Sequence, residues 1–420
     1  MKMRSILLPI IASTSFITAG NFPFPQDKVN FGIRATTATS DIIQANFVEW
    51  KRDYYEESGS EARIKFDEKS KTVSEGIGYG MLIMVCMDNS QNSTKDEFDK
   101  LWNYYKKFRN GNGLMHWKIN GFSNVEQQNG ATDGDLDVAA ALVLAIRQWG
   151  DEKYKTDAQE LINKIWSFEV NAAKYLKPGD AWDDKKNPSY FSTGALELFK
   201  SVSSQDWSTV INNSYTLIKK AANSTTGLVP DWCTQDGNNL GSDFGYDAVR
   251  TPWRIAWAYS WYGHQAASEI CSKMVTWIRN STSDDPNKIK GGYSVSGGAK
   301  VDYSNAVYAG CLSCAGIVSA SNQDFVNKGF TATNRADAST YFNKTLQVLT
   351  LLTLSGNLTT MTGTPVKELI ISNRTVPETA NYLSIPFFKQ ATAGSYSLNG
   401  QKVISIQRSL QPFLIKNVKK

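Results

Sequence analysis

Histidine is nearly missing from this 420-residue chain, which holds two, His116 and His264. Neither lies in an HExxH pattern or beside a GxSxG elbow, so a histidine-based zinc site and a Ser-His-Asp triad both lack their parts. Cysteine is sparse as well. Cys86, Cys233, Cys271, Cys311 and Cys314 are too few for a disulfide scaffold in a domain of this size. Cys311 and Cys314 form a lone CxxC in an Ala-rich, helical-looking stretch without the second pair a zinc site needs, which points to core packing or one local disulfide. Beyond residue 20 there is no run of 18 uncharged apolar residues, so no membrane insertion is expected across a hydrocarbon core about 30 Å thick. Strong charge of one sign is also lacking: 45 basic against 40 acidic residues leave +5.

That small excess is unevenly placed. From Thr359 onward there are eight basic residues against two acidic ones, whereas residues 21–358 carry 35 basic against 38 acidic, a net −3. No stripe of basic residues interleaved with aromatics crosses the body, which argues against nucleic acid as a partner. At the other end, Lys2 and Arg4 precede an apolar stretch from Ile6 to about Ile17 and then Thr18-Ala19-Gly20. Basic, apolar and small residues in that order are the plan of a secretory signal peptide over 1–20, so the chain is expected to be secreted, extracellular or on the cell surface.

Aromatic residues, by contrast, are abundant: 12 Trp, 18 Tyr and 19 Phe can fill a large core and still spare flat rings for a surface groove. Apolar residues fall at helical spacing around Val138 to Trp149, Phe98 to Phe108, Leu161 to Tyr175, Ser208 to Ala222, Arg254 to Ala267 and Tyr341 to Leu354. Clusters of Gly, Asn, Asp and Pro separate them, as at Gly111-Asn112-Gly113, Lys185 to Pro188 and Thr234 to Asp243. The pattern predicts an all-α domain over 21–358, about a dozen helices of ordinary length, a number that can close into a double ring. From 359 to 420 the texture changes to Thr-rich turns and short alternating runs such as Val403-Ile404-Ser405-Ile406, which reads as a small β module or flexible tail. Its segment Tyr396 to Val403 with a lysine-ended C-terminus resembles the sorting segments of some Gram-negative secreted enzymes.

Two segments combine carboxylates with glycines in a way a helical core does not need. In Ser74-Glu75-Gly76-Ile77-Gly78-Tyr79-Gly80-Met81, Ser74 is expected to cap a helix, with Glu75 at its mouth and glycines where a ligand could approach. In Ala131-Thr132-Asp133-Gly134-Asp135-Leu136-Asp137, carboxylates open a second helix. Taken singly, each could be no more than an acidic first turn. The Asp133, Asp135, Asp137 spacing imitates a calcium loop, but Val138 stands where that loop needs Gly and Leu144 where it needs Glu, so no metal is expected. A third segment, Tyr246-Asp247-Ala248-Val249-Arg250-Thr251-Pro252-Trp253-Arg254, sets an aspartate between aromatic and basic groups. Met115-His116-Trp117-Lys118 and Asn187-Pro188-Ser189-Tyr190-Phe191 add aromatic loops between these elements.

In this order and spacing the segments resemble glycoside hydrolase family 8, over roughly Asn21 to Asn357. The resemblance implies an (α/α)6 barrel with a cleft across the ends of its inner helices. It also implies inverting hydrolysis of a β-1,4-linked polysaccharide by a cofactor-free enzyme, and a monomer is expected. Carried onto this chain, Glu75 is the general acid and Asp247 the general base. Asp133 raises the pKa of Glu75 and holds sugar hydroxyls. Arg250 keeps Asp247 ionised, and Tyr190 helps hold the attacking water. Trp117, Tyr246, Trp182 and Tyr341 are the candidates for stacking on sugar rings. The implied activity is that of an endo-β-1,4-glucanase of the cellulase type, with xylanase, mixed-linkage β-glucanase or chitosanase as alternatives on the same catalytic pair. A carbohydrate-binding protein on this scaffold would not require the acid and base together. After Asn187 to Phe191, Ser192-Thr193-Gly194-Ala195 departs from the small-Pro-small-aromatic run frequent in the family.

Overall fold

The computed structural model describes residues 20–363. Residues 1–19 and those after 363, to which the export and sorting readings and nearly all of the β-like tail reading belong, lie outside them. Twelve α-helices occupy the described residues: α1 Ser40–Tyr54, α2 Ser74–Met87, α3 Lys95–Lys107, α4 Thr132–Trp149, α5 Glu152–Phe168, α6 Thr193–Phe199, α7 Trp207–Ala221, α8 Arg250–Tyr262, α9 Gln265–Thr282, α10 Ala306–Cys314, α11 Gln323–Arg335 and α12 Tyr341–Ser355.

Their sequences sort them into two layers. The even-numbered helices bury nearly every residue, so that α2, for example, leaves only Glu75 partly exposed. The odd-numbered helices are amphipathic and bury one stripe, as α3 does through Phe98, Leu101, Trp102, Tyr104 and Tyr105. Among the even helices α2 packs on α4, α4 on α6, α6 on α8, α8 on α10, α10 on α12, and α12 back on α2. The inner ring is therefore closed, and the odd helices lie against its outside: an (α/α)6 barrel.

Two predicted helical stretches ran through breaks. The pattern from Leu161 to Tyr175 stops at Phe168, because the chain turns back there with Val170 bridged to Leu176. The stretch from Arg254 to Ala267 is cut by Gly263, whose left-handed backbone ends α8 before α9 begins. Ser74 is not a cap. An extended segment, Lys71–Val73, pairs antiparallel with Lys118–Asn120 and runs straight into α2, so extended Val73 takes the capping position and the Ser74 hydroxyl is buried without a partner.

Close helix contact explains the glycines that the motifs carry. A Cβ on Gly134 of α4 would lie 2.7 Å from the Ser74 backbone and 2.8 Å from the Glu75 nitrogen, so only glycine lets α4 approach the start of α2. Gly194 is required by the packing of α6 on α8: a Cβ there would collide with the Trp257 indole nitrogen at 1.8 Å. All five cysteines are buried free thiols, and burial pushes each pKa upward. Core packing is thus their role here, and the local disulfide between Cys311 and Cys314 is not formed, both thiols sitting among apolar neighbours inside α10. Among the described residues no helix is long and apolar enough to cross a membrane.

Candidate active site

The N-terminal ends of inner helices α2, α4 and α8 carry Glu75, Asp133 and Arg250, with Asp247 in the turn just before α8. Arg250 is 2% exposed and is the hub. One arm of its guanidinium, Nη1, lies 2.5 Å from Glu75 Oε2 and 2.8 Å from Asp133 Oδ2. The other arm, Nη2, donates to Asp247 Oδ1 at 3.0 Å, and Nε donates to the Asp247 carbonyl at 3.2 Å. The planar fork thus keeps Glu75 and Asp133 together on one arm and Asp247 apart on the other. Burial opposes the charge on Arg250, but Tyr79 and the three carboxylates around it outweigh burial and hold its pKa well above the ordinary value.

The three carboxyls differ in access. The side chain of Asp133 is 5% exposed, that of Glu75 17% and that of Asp247 34%. Burial is the main reason the Glu75 pKa is raised to about 7; Arg250 opposes it and Asp133 adds to it. The like-charge effect expected of Asp133 is present, but desolvation is larger. An acid protonated near neutrality beside a solvent-reaching carboxylate can give a proton on one side while the other accepts one.

Tyr341 corrects an expectation. It is fully buried at the start of α12, pinned edge-on by Tyr54 and tilted against Phe66, so its ring cannot stack on a sugar. Instead its hydroxyl donates to Glu75 Oε1 at 3.0 Å, a bond that favours the ionised acid. Tyr341→Phe is therefore expected to move the alkaline limb of the pH–rate profile to higher pH, with kcat lowered by less than about tenfold, the scale of one hydrogen bond. A limb that stays in place or moves down would contradict this assignment.

The other aromatics have the access that stacking needs. Tyr246, next to Asp247, is 47% exposed and is held edge-on by Tyr308 and Phe342, with Asn305 donating to its hydroxyl. Trp117 is half-buried, and its carbonyl accepts the Ser74 N–H at 2.9 Å, immediately before Glu75. Trp182 is 38% exposed on a turn that packs against the Gly130 carbonyl, just ahead of α4. Tyr190, in a single 3-10 turn Pro188–Tyr190, is half-buried; its ring lies 5.4 Å from the Arg250 guanidinium, and burial pushes its hydroxyl pKa well up.

Sequence reasoning did not assign Tyr79, whose hydroxyl is 3.4 Å from Arg250 Nη1, or the pair Arg254 and Asp137, joined by two bonds of 2.7 and 2.8 Å. A signal existed. Asp133 and Asp137 are four apart on α4, as Arg250 and Arg254 are on α8, so two aligned helices make two rungs of ion pairs. The three aspartates that imitate a calcium loop take separate partners: Asp133 on Arg250, Asp135 on the Tyr105 hydroxyl and Asp137 on Arg254. Both histidines have structural contacts, His116 accepting the Asn129 N–H and His264 lying against Tyr215 and Glu197.

The profile of glycosyl hydrolases family 8 matches residues 22–356. Endoglucanase 2 of Ruminiclostridium josui is 34% identical over 85% of this chain and 83% of its own length. Endoglucanase A of Acetivibrio thermocellus is 31% identical over 95% of this chain and 84% of its own. The apo structure of a β-1,3-1,4-glucanase from Paenibacillus sp. X4 superposes with a TM-score of 0.75 at 29% identity, covering 81% of this chain and 99% of that one. With the barrel closed, Glu75, Asp133 and Asp247 gathered on Arg250, and the family profile matched over most of the chain, this chain is a glycoside hydrolase of family 8.

Proposed function

We propose that the protein is an exported, monomeric endo-β-1,4-glucanase that cleaves its polysaccharide with inversion, using protein side chains alone. The observation that carries this reading is the division of labour around Arg250: a buried acid with its pKa raised to about 7 on one arm and a more exposed carboxylate on the other. In this scheme Glu75 donates its proton to the glycosidic oxygen as the bond to the anomeric carbon breaks. Water attacks that carbon from the opposite face, and Asp247 takes its proton, with the Tyr190 hydroxyl helping to hold the water. Glu75 ends ionised and Asp247 protonated, and exchange with solvent restores both. Inversion needs the two carboxyls about 6.5–9.5 Å apart, room for one water, which a fork holding each on its own arm favours over direct contact. Asp133 holds a hydroxyl of the distorted sugar, and Trp117, Tyr246 and Trp182 offer ring faces to the chain on either side.

The glucan preference is supported by the names of the two endoglucanases, and mixed-linkage β-glucan is the second reading, supported by the Paenibacillus neighbour. Reducing-sugar release from soluble cellulose, mixed-linkage β-glucan, xylan and chitosan tests both. The expected result is highest kcat/KM on one of the two glucans with internal cuts that lower viscosity early; preference for xylan or chitosan would overturn it.

A further inference from the structure

Behind the catalytic rung lies a second set of carboxyls that the reaction does not use. Asp135 on α4 and Glu169, the residue just past α5, are both completely buried. They are within hydrogen-bond reach of each other. Asp135 Oδ1 takes the Tyr105 hydroxyl, while Asp135 Oδ2 and both Glu169 oxygens have no donor, and the nearby Thr132 hydroxyl has no acceptor. Two buried carboxylates side by side would repel at low dielectric and leave these atoms unsatisfied. A single proton on Glu169 resolves all four: Glu169 donates to Asp135 Oδ2, and Thr132, which lies within reach, donates to the other Glu169 oxygen.

Two loops rest on this pair. A Cβ on Gly130 would lie 3.0 Å from Asp135 Oδ2 and 3.4 Å from Glu169 Oε1, so the 129–131 segment sits directly over it. On one side of that segment the Asn129 carbonyl accepts the Trp117 N–H at 2.9 Å. On the other, the Gly130 carbonyl faces Gly179, whose turn supports the Trp182 ring. The Lys177 N–H donates to the Glu169 carbonyl at 2.7 Å, tying the Trp182 loop to the pair again. We propose that Asp135 and Glu169 share one proton and that this carboxyl–carboxylate bond is the positioning clamp for the loops that present Trp117 and Trp182 to the substrate.

The surroundings set which member holds the proton. Tyr105 and the Met115 N–H both favour an ionised Asp135, whereas Glu169 faces Asp135 and Asp180 and has only the Thr132 hydroxyl near enough to turn toward it. Arg109 stacks over Tyr105 and not on the carboxyls, and the Lys177 ammonium is occupied by the carbonyls of Phe168 and Asp180, so neither neutralises the pair. Asp180 is itself spent on Gly130, Asn110 and Asn112. Burial is the main cause in both, raising Asp135 to about 7 and Glu169 well above its ordinary value, in line with a pair that keeps a proton between them.

The clamp's role rests on the stacking assignment of Trp117 and Trp182, but the proton itself is read without substrate. Infrared spectroscopy of the full chain carrying Glu75→Gln is expected to retain a protonated-carboxyl C=O component at neutral pH that Glu169→Gln then removes; no removed component overturns the proposal. If Glu169→Gln does not fold, Thr132→Val is expected to shift that band to higher frequency by removing its hydrogen bond, and an unmoved band overturns it. In kinetics, wild-type KM is expected to rise several-fold as pH climbs above neutrality while Glu169→Gln, whose amide donates at every pH, does not follow. Parallel KM profiles overturn the positioning role even with the band present, and loss of glucan activity for other reasons leaves the infrared result untouched.

Discussion

Glu75→Gln is expected to lower kcat on soluble β-1,4-glucan by about 10²–10⁴-fold with KM changed by only a few-fold. The amide fills the same space, its oxygen accepting from Arg250 and its NH2 donating to the Tyr341 hydroxyl, and Arg250 retains Asp133 and Asp247, so binding is largely kept. What is lost is a proton available to the departing glycosidic oxygen. A β-glycosyl fluoride, whose leaving group needs little protonation, is therefore expected to lose much less rate, and an equal loss on both substrates would contradict the acid assignment. Stability gives a second signature. Burial raises the folded pKa of Glu75 from 4.5 to about 7, so the contribution it makes to stability is fully present below 4.5 and is lost as pH rises through about 7. The glutamine variant lacks that loss, and its thermal stability relative to wild type is expected to improve across this window.

Arg250→Met is expected to be nearly as damaging to rate, at least about 10²-fold in kcat, and also to unfold more easily. The substitution leaves three converging carboxyls without their shared cation. Breaking a buried pair by removing one partner costs about 3–5 kcal/mol, and the low end is expected because the Asp247 side chain is a third exposed. The residual activity carries the diagnostic sign. Arg250 holds the Glu75 pKa down against burial, so its removal should move the alkaline limb upward. Arg250→Lys is expected to recover part of the stability but little of the rate, since a point charge cannot occupy two arms at once. Wild-type rates in either variant would contradict the hub.

The helical array was legible because burial periodicity is local: α3, α7 and α12 begin and end within a few residues of the predicted stretches. Closure was not, since it depends on which helix faces which, and only the return of α12 onto α2 establishes it. Glu75, Asp133, Asp247 and Arg250 could be picked out from ordered motifs, and they do meet. Their shared arrangement on one guanidinium could not be read, because α2 and α4 are brought together by glycine contacts distant in sequence, such as Gly134 on Ser74, and α8 reaches them through the closed ring. Tyr341 was misread for the same reason. An aromatic at a helix start looks alike whether it faces a cleft or, as here, the underside of the acid. Asp135 reads as the middle acidic position of one motif, while its partner Glu169 stands outside every motif and becomes visible only through unsatisfied oxygens.

The central claim is that Glu75 and Asp247 act on opposite faces of the sugar. Proton NMR of the first product formed from a soluble β-1,4-glucan, recorded before mutarotation, tests it most directly. The α-anomer is the expected initial product, and a β-anomer would contradict the account.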